Sequence, residues 1–337
     1  MNKGIAIAGN LLVDSVKIID TYPEVGMLTN IRDISKCCGG CVPNTIIDIA
    51  KLNDKSVPLK AIGRVGDDDY GTYLIDLLES FGVNSDRVIK TPGVPTSFTD
   101  VMSTISGTRT FFHARGANAF FDISDIDFDN LDVDMLHMGY ALLLDKFDEP
   151  DPEYGTVLAR ALATAQSKGI RTSMDVVSEA GDRFSRIVTP SLKYCNYAIL
   201  NEVESAEIAG IPARDANKKI ITENLKKICS IFFEKGVKDI VAIHAPEGCW
   251  CMDRAGKFYA VGSVDVPRPE IKGTVGAGDA FCAGMLYSIY KGFDVEKALH
   301  VAGCTAACNL LSKNAIDGAL PFDEAMKLEG KYGLQAL

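Results

Sequence analysis

No stretch of this chain approaches the roughly 18 consecutive apolar residues that a membrane span requires. No membrane partner is therefore expected. The opening Met1-Asn2-Lys3-Gly4-Ile5-Ala6-Ile7-Ala8-Gly9 carries one Lys and an apolar run too brief for a secretory signal, and Gly9-Asn10 ends it as a strand meets a turn. A cytoplasmic protein is expected. Positive charge is also scarce: 35 Lys and Arg stand against 45 Asp and Glu, a net charge of −10. Nucleic-acid backbones call for clustered Lys and Arg, so that class of partner is excluded. Zinc spacing is missing as well, since only Cys38-x-x-Cys41 has it and the four histidines are scattered. Disulfide frameworks belong to short secreted chains. The ten cysteines (37, 38, 41, 195, 229, 249, 251, 282, 304 and 308) are therefore expected to be free thiols acting as small core residues. There is no P-loop ending in Gly-Lys-Ser/Thr, no internal repeat, no low-complexity tract and no linker.

What is present is an ordinary globular balance, 47% hydrophobic and 24% charged over 337 residues. A chain of this size buries roughly three quarters of its unfolded surface without staples. Short apolar runs at Gly4 to Ala8, Leu59 to Ile62, Met135 to Met138, Arg171 to Val177, Tyr197 to Leu200 and Asp239 to Ile243 read as strands. Between them, Pro43 to Leu52, Tyr70 to Phe81, Tyr154 to Lys168 and Asn217 to Lys235 read as helices. This alternation predicts an α/β fold, a doubly wound and mostly parallel sheet flanked by helices. Two stretches break the rhythm. Leu11 to Ser35 reads as extended chain with turns, and Thr96 to Phe112 as a hairpin turning at Ser106-Gly107. They suggest a small β-sheet lid, formed by segments near 11–35 and 96–120, on a single domain spanning 1–337.

The segment richest in chemistry is Gly273-Thr-Val-Gly-Ala-Gly-Asp-Ala-Phe281, which opens a helical run from Ala280 to Lys291. Glycines at a helix start let backbone N–H groups point outward as an anion cradle. A carboxylate there is expected to be held ionised by the helix dipole. Cradle plus carboxylate suits phosphoryl transfer to an alcohol: amides receive the phosphoryl charge and Asp279 accepts the hydroxyl proton. On spacing alone, a tight glycine turn with Asp279 complementing the dipole accounts for the same residues. A dinucleotide fingerprint would need a small residue where Phe281 stands.

Gly276-Ala277-Gly278-Asp279 at the start of a late helix resembles the second signature of the ribokinase-like (PfkB) carbohydrate kinases. Gly39-Gly40-Cys-Val-Pro-Asn44, followed by Ala50 and Leu52, resembles the first. Ala61-Ile-Gly-Arg-Val-Gly-Asp-Asp-Asp-Tyr-Gly71, running on to Phe81-Gly82-Val83, resembles a further block, and Asn201-Glu-Val-Glu204 the family's N-x-x-E motif. They occur in the family's order across most of the chain.

The resemblance implies an ATP-dependent kinase acting on the hydroxymethyl group of a small sugar, ribose- or fructose-like; a nucleoside kinase or a non-catalytic sugar-binding protein are the alternatives. An oxidoreductase would carry a nicotinamide or flavin chromophore. Asp279 becomes the catalytic base beside an anion hole of Gly276, Ala277 and Gly278. Asp14, Gly39, Gly40, Asn44 and Arg115 become substrate contacts, and Asn201, Glu204, Thr274 and Gly248 nucleotide or Mg²⁺ contacts, Glu204 through water. Asn201 and Glu204 equally fit a helix capping box, Arg115 a surface position and Asp14 a solvated turn. Gly273 stands where the family usually carries an Asp that helps build a monovalent-cation site, which leaves K⁺ dependence open. Ala245 replaces a usual glycine, and Ile46 a small residue. A homodimer through the lid is also implied.

Overall fold

The computed structural model describes residues 3–53, 55–105, 108–177 and 183–337. The predicted apolar runs become strands of one sheet: β1 (Ile5–Ala8), β4 (Leu59–Gly66), β8 (Met135–Ala141), β11 (Arg171–Val176), β12 (Tyr197–Asn201) and β13 (Ile240–Ala245). β5 (Asn84–Thr91) extends it at one edge, and β14 (Gly248–Asp253) with β15 (Phe258–Gly262) at the other. The order is β15-β14-β13-β12-β11-β8-β1-β4-β5. Every pairing from β13 to β5 is parallel, and β14 alone runs the other way, pairing antiparallel with both β13 and β15. β1 lies between β8 and β4, so the winding reverses beside it, and open α/β sheets bind ligands where the winding reverses, outside the carboxyl ends of the strands.

Alternation along the strands divides the interior into two cores. In β1, Ile5 and Ile7 join the core on one face and Ala6 and Ala8 the core on the other. The first core packs against α1 (Cys41–Leu52), α2 (Asp69–Ser80), α7 (Ala277–Tyr290), α8 (Val295–Leu310) and α9 (Phe322–Tyr332). The second packs against α3 (Val157–Ser167), α4 (Arg183–Leu192), α5 (Glu202–Ala209) and α6 (Thr222–Glu234). Helices on both faces are what a parallel sheet needs to bury two apolar surfaces. All ten cysteines are free, and nine of them are buried.

Leu11 to Ser35 and Thr96 to Phe112 supply a second, four-stranded sheet of order β3-β2-β6-β7: β2 (Leu12–Ile19), β3 (Ile31–Gly39), β6 (Ser97–Thr104) and β7 (Arg109–Ala114). The expected turn at Ser106-Gly107 lies outside the described residues. After β7 the chain turns back onto β4 through Gly116–Phe120. A short ladder of β9 (Pro150–Asp151) and β10 (Gly155–Thr156) precedes α3.

Two helix starts fall later than expected, each for a local reason. α3 begins at Val157 because Thr156 caps it, accepting from Ala159 N at 3.1 Å. α6 begins at Thr222 because the Asp215 carboxylate accepts from the amides of Asn217 and Lys219 and folds that stretch into a turn.

One core residue is out of place chemically. Asp48 in α1 is fully buried, and neither carboxylate oxygen has a hydrogen-bond partner. Burial drives its carboxyl well above the ordinary range, nearby Asp279 adds to this, and Lys51 opposes it. Lys51 itself donates to Ile316 O at 2.7 Å. Because the folded state holds a proton that the unfolded chain releases near pH 4, stability falls as pH rises above that point. Asp48→Ala should therefore stabilise the fold by about 1–3 kcal/mol at neutral pH, the cost of an unsatisfied buried polar group. The gain should be larger at pH 8 than at pH 6. Urea unfolding at the two pH values measures it, and a less stable variant at pH 8 would contradict this account of Asp48.

Candidate active site

A cavity of about 280 Å³ opens at the carboxyl ends of β8, β11, β12 and β13, against the start of α7. Its walls include Tyr140, Asp175, Asn201, Glu204, His244, Gly276, Gly278 and Asp279. Gly276 caps α7 with φ 84°, and a Cβ there would meet Ala315 Cβ at 2.5 Å, so the turn requires glycine. Ala277 N donates to Thr274 O at 3.3 Å, and Gly276 and Gly278 border the cavity at this helix N-terminus, a place suited to an anion.

Asp279 is buried in the first turn of α7. Its Oδ2 accepts from Asn44 Nδ2 at 2.9 Å and from the Tyr140 hydroxyl at 2.9 Å. The expectation that the helix dipole keeps this carboxylate strongly ionised is corrected here. Burial and repulsion from Asp175 raise its pKa to about 7, with Glu204 adding to the rise, while the bonds from Asn44 and Tyr140 hold it down. Desolvation outweighs a helix-terminus effect worth less than about 2 kcal/mol. A carboxylate poised near neutrality is a better proton acceptor than one held acidic.

Asn44 reaches Asp279 because Gly40 allows α1 to start beside it. Gly40 has φ 90°, and a Cβ would meet Asn10 O at 2.4 Å. Asn44 Oδ1 is buried without a partner, an acceptor available to a ligand hydroxyl. Gly39 lies where a Cβ would meet Asp14 Oδ2 at 2.5 Å, so bare backbone flanks that carboxylate. Asp14 is a strand residue of the small sheet, opposite Cys37 and Thr99, and burial raises its pKa to about 6. Asp14, Gly39, Gly40 and Asn44 thus form a continuous run from the small sheet to Asp279.

The other expected residues divide. Asn201 and Glu204 border the cavity and also form the capping box of α5: Asn201 accepts from Glu204 N at 2.8 Å, and Glu204 accepts from Asn201 N at 3.0 Å. The capping-box reading of the motif is met, and the cap holds the pair at the cavity wall. Arg115 does not reach the cavity wall; it donates to Leu143 O at 3.1 Å and pairs with Asp145 at 3.3 Å. Thr274 is exposed before the glycine turn and accepts from Ala277 N at 3.3 Å. Gly248 is buried on β14 against Leu337 and Val261 O, away from the cavity wall.

Three polar lining residues escaped the sequence reading: Tyr140, Asp175 and His244. Their shared signal is position, each at the carboxyl end of a central strand. Tyr140 has φ 61°, uncommon for a bulky side chain, and Asp175 Oδ1 accepts from its amide at 2.5 Å. His244 packs against Phe281 with ring centroids 4.8 Å apart, and burial lowers its pKa to about 4, so it is neutral.

A family model for the pfkB family carbohydrate kinases matches residues 8–322. The chain belongs to the pfkB family. Among curated relatives it is 24% identical to a deoxyribokinase of Salmonella typhi, covering 92% of this chain and 93% of that one. It is 26% identical to a probable chloroplastic fructokinase of Arabidopsis thaliana, covering 92% and 79%. Arabidopsis thaliana ribokinase complexed with ribose and ATP superposes with a TM-score of 0.80 at 20% identity, over 97% of this chain and 99% of that one. A nucleoside kinase from Methanocaldococcus jannaschii superposes at 0.75 with 17% identity, covering 98% of each chain. The pfkB member described here is a carbohydrate kinase, a phosphotransferase with an alcohol acceptor.

The Tyr140 bond gives a direct prediction. If Asp279 takes the substrate proton, only its ionised form can do so, and kcat/KM should then fall as pH drops through about 7. Tyr140→Phe removes a hydrogen bond to the ionised form and should move that acid limb to higher pH. A pH–rate profile unchanged in Tyr140→Phe would exclude any hold of Tyr140 on the ionisation of Asp279.

Proposed function

We propose that this chain is a single α/β domain with a β-sheet lid that transfers the γ-phosphate of ATP to the hydroxymethyl group of a ribose- or fructose-like sugar. The observation that carries the reading is Asp279, buried at the glycine-capped start of α7 with Oδ2 held twice by hydrogen bonds. In this reading Oδ1 receives the substrate proton. The amides of Ala277 and Gly278, with Gly276 shaping the turn, stabilise the transferring phosphoryl group. Asp14, Gly39, Gly40 and Asn44 hold the sugar, and Arg115 is reserved for a contact made on closure. Asn201, Glu204, Thr274 and Gly248 belong to the nucleotide side.

Mg²⁺ fits the residues present. The cavity wall holds three carboxylates, Asp175, Glu204 and Asp279, and neither Lys nor Arg. A polyphosphate cannot approach such a wall without a cation, and oxygen donors suit Mg²⁺, with Glu204 acting through water. When bound, the ion would neutralise phosphate charge. The residues of the chain orient the hydroxyl, take its proton and exclude water.

ADP formation from ATP–Mg²⁺ across ribose, fructose, keto-deoxy sugar acids and nucleosides, with and without K⁺, tests the proposal. One sugar should turn over, and Asp279→Asn should lower kcat by about 10²–10⁴ with the fold intact. Near-normal turnover in Asp279→Asn would sink the assignment, and turnover of nucleosides alone would move the chain to the nucleoside branch.

A cytoplasmic location is part of the proposal; no helix among the described residues is long and apolar enough to cross a membrane. The small sheet also exposes Val25, Met27, Leu28, Ile34, Phe111 and Phe112. So much apolar surface in one region marks an interface, and a second copy of the chain is the proposed occupant. Sedimentation should give a dimer, and Ile34→Lys with Phe112→Lys, two positions on one face of the small sheet, should give monomer. A wild type that sediments only as monomer would refute it.

A further inference from the structure

Beside the cavity lies a group that shares only Asp175 with the cavity wall and whose other two members, His137 and Cys282, have no part in the proposed phosphoryl transfer. His137 of β8, Asp175 of β11 and Cys282 of α7 are all buried, and their donor atoms lie within 4.8 Å of one another. His137 Nε2 is 3.4 Å from Asp175 Oδ2, long for a hydrogen bond, and 3.8 Å from Cys282 Sγ. The other ring nitrogen, Nδ1, meets Ser173 Oγ at 3.1 Å. Asp175 Oδ1 is engaged by the Tyr140 amide, which leaves Oδ2 turned toward His137. One imidazole nitrogen, one carboxylate oxygen and one sulfur therefore converge from three elements.

Their spacing suits an ion. With Zn–N and Zn–O bonds of about 2.1 Å and Zn–S of about 2.3 Å, tetrahedral edges are about 3.4 Å for N–O and 3.6 Å for N–S. The observed 3.4 and 3.8 Å are close to these. The oxygen–sulfur pair, within 4.8 Å, needs the largest adjustment, a small rotation of one side chain. A nitrogen–oxygen–sulfur set selects Zn²⁺ or Co²⁺ over Mg²⁺, which takes oxygen alone. Ser173 supplies the outer hydrogen bond that fixes a ligating imidazole. Asp175 borders the cavity, giving the ion a way in and a fourth position for water.

We propose that His137, Asp175 and Cys282 bind one zinc-class divalent ion beside the active site, and that filling the site slows phosphoryl transfer. As the metal–sulfur bond forms, the Cys282 proton passes to solvent. The coupling runs through Asp175, which holds the Tyr140 amide while the Tyr140 hydroxyl holds Asp279. Only this coupling rests on the kinase reading.

Co²⁺ titration of the purified full-length protein tests the site by absorbance, with no substrate present. Expected is a thiolate-to-cobalt charge-transfer band that saturates at one equivalent, disappears on adding Zn²⁺ and survives excess Mg²⁺. Cys282→Ser and His137→Gln should each abolish it, so the test does not depend on one variant folding. A wild type without the band, or an undiminished band in Cys282→Ser, overturns the site. One equivalent of Zn²⁺ should then slow ADP formation several-fold in wild type and not in Cys282→Ser. Equal rates with and without Zn²⁺ in wild type overturn the coupling. A protein that shows the band and phosphorylates nothing would instead defeat the kinase reading.

Discussion

The hydrogen bond between Asn44 and Asp279 joins two helix starts that are 235 residues apart in the chain. Most of the site depends on it. Asn44 arrives by way of the Gly39-Gly40 turn and the small sheet, and Asp279 by way of the glycine cap of α7. Where they meet, the run of polar groups from Asp14 touches the cavity that Asn201 and Glu204 border. Two separately folded local motifs become one site only because α1 and α7 pack on the same face of the sheet.

The electrostatics follow from that meeting. Asp279 is buried among other acids, and a buried carboxylate near like charge resists ionisation. Asn44 and Tyr140 offset part of that resistance. The balance near neutrality is a compromise between a dry site, which strengthens every interaction within it, and a carboxyl that still ionises.

Much of this was legible because it is local. The glycine turn at Gly276, the turn at Gly40 and the capping box at Asn201 and Glu204 each depend on residues within a few positions of one another, so their spacing survives in the sequence. The parallel sheet was legible from apolar runs separated by helical stretches. What sequence could not supply is neighbourhood. Tyr140, Asp175 and His244 are single residues in unrelated strands, and nothing in their surroundings marks them until the strands lie side by side. The ionisation of Asp279 was misjudged for the same reason: the dipole of its own helix is local, whereas burial and Asp175 belong to the folded molecule. β5 was missed because Asn84–Thr91 carries too few apolar residues, an edge strand having little to bury.

The division of the interior into two cores has a consequence for how this chain tolerates change. Adjacent residues of β1 serve opposite faces, so inserting or deleting one residue there would exchange the two sets of contacts along everything downstream in that strand. The central strand is thus closed to length variation, while residues 22–30, which connect two strands of the small sheet, belong to neither core and place no such register demand on the chain. A lineage of such proteins could lengthen or reshape the small sheet without disturbing the cavity at the carboxyl ends of the central strands.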